Sequence, residues 1–367
     1  MTTDGCESIG FRCVDQGPIV HIVRKTLLMV VMMLTVAATT GSTGAGPQPG
    51  GLSPATLAIY YGYPSLVNGA SGNIERAVAT FAEYDVVVFG DGLEFSDVDP
   101  RRSPRGAGPD EHRRTRAIIE RLRSRAPAMR VYGYIDLGNS QQLSIADIQQ
   151  RTRLWAAVGA TGIFLDEAGY DFGVTRERQN TAIDAIHGLG LSAFVNAFNP
   201  DDVFSPSAVP LNSVGGGNPT GLATRLGQQD VFLLESFQVR LGRPEAWSAW
   251  SARTAKAVGH RERHRTRIFA VTTTTAETAR QAAGLYGYAW WSAAVWGLDG
   301  VGWGEPDFSG VSSQLPPRHR DLDRRALAGT RFVSPVAATP DGYERRTDAG
   351  RVVLSRTSRS GWFERTP

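Results

Sequence analysis

The sequence predicts a (β/α)8 TIM-type barrel followed by a small C-terminal β-rich appendage, and three observations predict it. Apolar, β-prone runs alternate with helix-like stretches eight times between Leu57 and Glu305, a span of about 250 residues that suits one such barrel. Several of these runs end in a carboxylate, and in barrels of this class function collects at the C-terminal strand ends. Past about Gly310 the pattern changes: an Arg- and Pro-rich stretch leads to GYERRTDAGRVVLSR, Gly342 to Arg356, which reads as a β-hairpin.

In chain order, the first strand is LAIYYGY (Leu57 to Tyr63), and a helix follows around Asn73 to Tyr84. The second strand lies in DVVVFGDGLE and ends near Asp91; after a polar loop, a helix near Asp110 to Arg125 carries Ile118, Ile119 and Leu122 on one face. RVYGYIDLG runs out into Asp136, and Ser144 caps a helix from Ile145 to Val158. The fourth strand, in TGIFLDEAGYDFG, ends in the adjacent acids Asp166 and Glu167. Glu177 to Leu189 is the next helix, and LSAFVNAFNP is the fifth strand, with Asn196 and Asn199 at its exit. A Gly-, Asn- and Pro-rich loop (Val209 to Gly221) precedes DVFLLESF, which runs into Glu235. RIFAVTTT is the seventh strand and DGVGWGE the eighth; between them Ala276 to Trp296 is helix-like and rich in Tyr and Trp. That aromatic stretch reads as packing against the barrel rather than as a sugar platform.

The two cysteines, Cys6 and Cys13, precede a segment with signal-peptide features. Arg24 and Lys25 are followed by an apolar core from Leu27 to Ala38 and then by small residues to Ala45. Residues 1–45 are therefore expected to be a signal peptide with an upstream extension. Residues 46–56 are expected to be a flexible leader, 57–309 the barrel, and 310–367 a linker and β-rich tail. This predicts a secreted or cell-envelope protein whose membrane contact is transient, through the signal peptide, and whose mature part has no thiol chemistry.

The net charge is +3, and Lys25 and Lys256 are the only lysines. The arginines are interspersed with acids and no aromatic-basic module accompanies them, which argues against a nucleic-acid partner. The densest basic run, Gly259 to Arg267, reads as a solvated loop or helix end. The six histidines do not collect at strand exits, so no metal site or metal-dependent chemistry is expected. There is no GxSxG elbow and no Walker motif, and VGGGNPTG lacks dinucleotide-binding spacing. No cofactor is expected, and a monomer is.

What remains is a ring of polar residues at strand exits: Tyr61, Tyr63, Asp91, Tyr134, Asp136, Asp166, Glu167, Asn196, Asn199, Glu235 and Trp303. Side chains alternate along a strand, so of Asp166 and Glu167 only one can face the mouth. Asp166 follows the parity of Phe164 and is placed inward. Two opposed carboxylates with aromatic neighbours are what glycoside hydrolysis needs: one protonates the leaving oxygen while the other attacks or activates water. Each acid alone could instead pair with an arginine, but the nearest arginines lie several residues beyond the strand ends.

These residues are also familiar as a set. GYIDLGNS, GIFLDEAGYDFGVTRERQN, FVNAFNPDD and LLESFQ resemble the superfamily of spherulin-like and endo-α-1,4-polygalactosaminidase-like glycoside hydrolases. The resemblance covers about residues 57–308. It implies a TIM-type barrel acting on galactosamine-containing exopolysaccharide, with Asp166 as nucleophile or charge stabiliser and Glu235 as general acid/base. It gives Glu167 a supporting role and places Tyr134, Asp136 and Asn196 along the subsites. The expectation is therefore an endo-acting, secreted polysaccharide hydrolase; the alternative is an envelope barrel that binds polysaccharide without cleaving it.

Overall fold

The computed structural model describes residues 52–96, 98–99, 110–275, 277–304, 314–315 and 327–366. The signal-peptide segment, most of the leader and most of the linker lie outside the described residues.

Eight parallel strands close into a barrel: β1 (Ala55–Tyr60), β2 (Val86–Phe89), β3 (Arg130–Asp136), β4 (Gly162–Asp166), β5 (Ser192–Asn196), β6 (Val231–Leu234), β9 (Arg267–Thr272) and β10 (Gly300–Trp303). Between β6 and β9 a two-stranded hairpin, β7 (Val239–Arg240) with β8 (Arg243–Pro244), stands apart from the ring. The first strand begins at Ala55, inside the stretch expected to be leader, because Ala55 pairs with Gly300 across the closing seam.

The helices of the outer layer are α1 (Ile74–Phe81), α2 (Glu111–Arg125), α3 (Ile145–Val158), α4 (Arg176–His187), the single turn α5 (Asp201–Phe204), α6 (Trp247–His264), the short α7 (Ala279–Ala282) and α8 (Tyr286–Trp296). Local chemistry starts several of them. Asn73 accepts from Arg76 at the head of α1, Ser144 and Asp147 form a capping box on α3, and Thr175 caps α4. The basic run expected as a loop or helix end, Gly259 to Arg267, spans the C-terminal turns of α6 and its cap and reaches the first residue of β9.

Two apolar layers follow from strand alternation. Inward residues, among them Leu57, Ile59, Val88, Tyr132, Phe164, Phe194, Leu233 and Phe269, fill the barrel. Edge-on ring contacts at 5.2 Å join Phe194 to Tyr132 and to Phe164. Gly300 makes room for this filling, since a Cβ there would sit 2.2 Å from the Phe269 ring. Outward residues such as Val131, Ile163, Val195 and Phe232 pack under the helices.

The appendage is a four-stranded antiparallel sheet of β11 (Ala337–Thr339), β12 (Gly342–Thr347), β13 (Gly350–Ser355) and β14 (Ser360–Arg365). The expected hairpin is its central pair. It covers α8, which is buried on every side and is apolar all round for that reason.

Candidate active site

The inward parity of the barrel filling continues past the strand ends into polar residues. Tyr134 and Asp136 extend the face of Tyr132, Asp166 extends Phe164, Asn196 extends Phe194, and Glu235 extends Leu233. Buried apolar rings thus form the floor, and the first polar residue on each of four neighbouring strands stands on it.

Asn196 joins the two central acids. Its Nδ2 donates to Asp166 Oδ1 at 2.8 Å and to Glu235 Oε2 at 2.8 Å. Those two oxygens therefore lie no farther apart than twice 2.8 Å. Asp166 Oδ1 also accepts from the Glu167 backbone N–H at 2.9 Å, and the Tyr134 hydroxyl donates to the Asp166 carboxylate. Burial raises the Asp166 carboxyl to about 6; the Asn196 hydrogen bond opposes this and the charge of Glu235 adds to it. The Tyr134 phenol is driven upward by burial and by Asp166 and Asp136. Asp136 is 1 % exposed, its Oδ1 has no hydrogen-bond partner among the described residues, and burial with the charges of Glu167 and Asp166 raises it to about 7. The Asn196 carbonyl oxygen is likewise buried without a partner.

The other residues expected here fall into three groups. Tyr61 continues the inward face of β1 and meets Tyr134 edge-on at 5.2 Å, so it stands at the mouth. Asp91 and Glu167 are at the rim but are held. Asp91 binds Arg151, which is itself buried against Glu94, and accepts from Gln141 at 3.2 Å. Glu167 has a left-handed backbone (φ 52°) that turns its side chain away from Asp166 onto the hydroxyl and backbone N–H of Ser140.

The structure does not bring the remaining three to the pair. Tyr63 packs against the outer apolar layer. Asn199 spends its amide on Asp202 Oδ1 at 2.7 Å and its carbonyl on the Asp201 N–H, at the start of α5. Trp303 has the parity of outward Val301 and lies against Tyr286 of α8, with ring centroids 5.5 Å apart. Its alternation with Gly300 and Gly302 carried that signal in the sequence.

Residues that sequence reasoning missed close the Glu235 side. Phe198 is exposed at the exit of β5, and the guanidinium carbons of Arg253 (α6) and Arg240 (β7) lie 4.2 and 5.3 Å from its ring centroid. Among the described residues no group of three or more His, Cys, Asp or Glu side chains could hold a metal ion, and no helix is long and apolar enough to cross a membrane.

No known family profile matches the chain, and no curated protein matches it significantly. Solved structures with a similar arrangement include the glycoside hydrolase domain of PelA from Pseudomonas aeruginosa, at 13 % identity, covering 71 % of this chain and 99 % of that one with a TM-score of 0.39. The tryptophan synthase alpha chain from Legionella pneumophila subsp. pneumophila, at 14 % identity, covers 68 % of this chain and 79 % of its own with a TM-score of 0.34. An HpcH/HpaI aldolase from Desulfitobacterium hafniense DCB-2, at 11 % identity, covers 69 % of this chain and 87 % of its own with a TM-score of 0.31.

Proposed function

We propose that the protein is a glycoside hydrolase that cleaves polysaccharide at the Asp166/Glu235 pair, acting in the secreted or envelope space on α-linked galactosamine-type chains. The observation that carries this reading is the single Asn196 nitrogen 2.8 Å from an oxygen of each acid. An upper limit of twice that distance between the nearer oxygens suits a double displacement, for which the carboxyls stand about 5–5.5 Å apart, better than an inverting reaction at about 6.5–9.5 Å. Glu235 protonates the leaving oxygen while Asp166 attacks the anomeric carbon; water then releases the sugar, with Glu235 taking its proton. Donors from Glu167 N–H, Asn196 and Tyr134 converge on Asp166 and hold its oxygens in one orientation. Asp136, whose Oδ1 has no hydrogen-bond partner among the described residues, suits a substrate bearing ammonium groups.

The test is reducing-end release from α-1,4-linked galactosamine and N-acetylgalactosamine polymers by wild type, Asp166→Asn and Glu235→Gln. Loss of at least about 10²-fold in both folded variants is expected. Binding of polymer by wild type with no release would sink the hydrolase reading and leave a non-catalytic polysaccharide-binding barrel.

A further inference from the structure

The Glu235 flank of the mouth carries two guanidiniums beside one ring. On the Asp166 side stand Asp91, tied to Arg151, with Asp136 and Glu167; on the other, two guanidiniums lie close to one exposed ring, Phe198. Arg253 reaches up from α6 with a side chain only 10 % exposed. Its Nη2 donates to the Ser236 carbonyl at 3.1 Å and to Glu245 Oε2 at 2.7 Å, but its buried Nη1 has no hydrogen-bond partner among the described residues. Arg240 is exposed on β7 and makes no ion pair among the described residues. Its charge repels that of Arg253, while Glu235 and Glu245 attract it.

Tethering the turn after Glu235 explains Nη2. It explains neither the idle Nη1 nor the second arginine on the same ring. Leaving a buried donor unpaired is costly, and of the two guanidiniums Arg253 is ion-paired with Glu245, whereas Arg240 has no ion-pair partner among the described residues. An exposed guanidinium beside an aromatic face is suited to a carboxylate on a sugar ring: the planar fork takes the carboxylate and the ring stacks.

We propose that this flank is a subsite for a uronate residue, its carboxylate taken by Arg240 over the fixed charge of Arg253 and its ring laid against Phe198. The substrate is then a zwitterionic chain, with amino sugars on the acidic flank and uronates on the basic one. This rests on the hydrolase reading only for the word substrate; the binding itself is separable.

Calorimetry in the Asp166→Asn background, which binds without turnover, tests it with three trisaccharides: trigalacturonate, neutral galactotriose and galactotriose sulfate. Trigalacturonate is expected to bind at least about tenfold tighter than galactotriose, and Arg240→Gln, an exposed change, is expected to erase the difference. Equal affinity for the two, or a preference that survives Arg240→Gln, overturns the subsite. Tighter binding of the sulfate ester than of the uronate overturns the uronate assignment. Hydrolysis that fails on every polymer while the uronate preference holds would remove the enzymatic reading and leave the subsite standing.

Discussion

Asn196 donates to both acids through one nitrogen, so the spacing of Asp166 and Glu235 depends on an amide that neither acid's own strand supplies. Its hydrogen bond lowers the Asp166 carboxyl against the upward push of burial. Asn196→Ala is therefore expected to move the acid limb of kcat/KM, set by ionisation of the nucleophile Asp166, from near pH 6 to higher pH, and to cut the rate by about 10²-fold through lost positioning. A limb that stays in place in the variant would show that Asp166 does not titrate in the rate profile. Asp136 makes a second case, with the opposite use of burial. Its folded carboxyl, near 7, stands above the unfolded value of 3.8, so between those values the folded state holds the extra proton and stability falls as pH rises. Asp136→Asn is expected to remove that slope and to stabilise the protein at pH 8 by up to a few kcal/mol at roughly 1.4 kcal/mol per unit; urea melts at pH 4.5 and 8 decide it. At this scale parity made Asp166, Tyr134, Asp136 and Glu235 legible, because each follows an apolar residue that must face inward. The same counting, applied to Gly300, Val301, Gly302 and Trp303, places Trp303 outward, whereas a rule of polar or aromatic residues at strand exits does not. Asn199 was misplaced because a short helix start claims its side chain, and Phe198 and Arg253 were missed because their pairing joins distant parts of the chain.

Strands and capped helices were readable from local chemistry; α6 was not. It begins at Ala246, which offers no capping side chain, and ends at Arg265 in the left-handed region (φ 60°) rather than at a glycine, so both usual signals are missing. The loss mattered for the site, since α6 carries Arg253. Helix α8 shows the reverse: its aromatic run was visible, but the reason for apolar residues all round is the sheet that covers its far side. Gly361 of β14 lies directly against Trp291 of α8. A Cβ there would stand 2.4 Å from the Trp291 Cβ, so Gly361→Val is expected to cost about 1–3 kcal/mol by overpacking, read as a lower urea midpoint. An unchanged midpoint would mean the sheet is not seated on α8 in solution.

For the whole molecule the appendage is therefore part of the barrel's outer wall. Ending the chain before Ala337 uncovers Trp290, Trp291 and their neighbours on α8. The expected result is a melting temperature lower by about 10 °C or more, from several kcal/mol of lost apolar burial at roughly 2–4 °C per kcal/mol. A truncated protein that melts with the full chain would instead make the tail an independent module. The closing seam has a further consequence, for synthesis. Strand β1 is made first, yet its partner across the seam is β10, and α8 between β9 and β10 gains its cover from the last strands of all. A nascent chain halted before Gly300 has an unpaired edge on β1 and another on β9, both templates for stray pairing. Ring closure thus waits on β10, and both edges stay open to stray pairing until that strand is available.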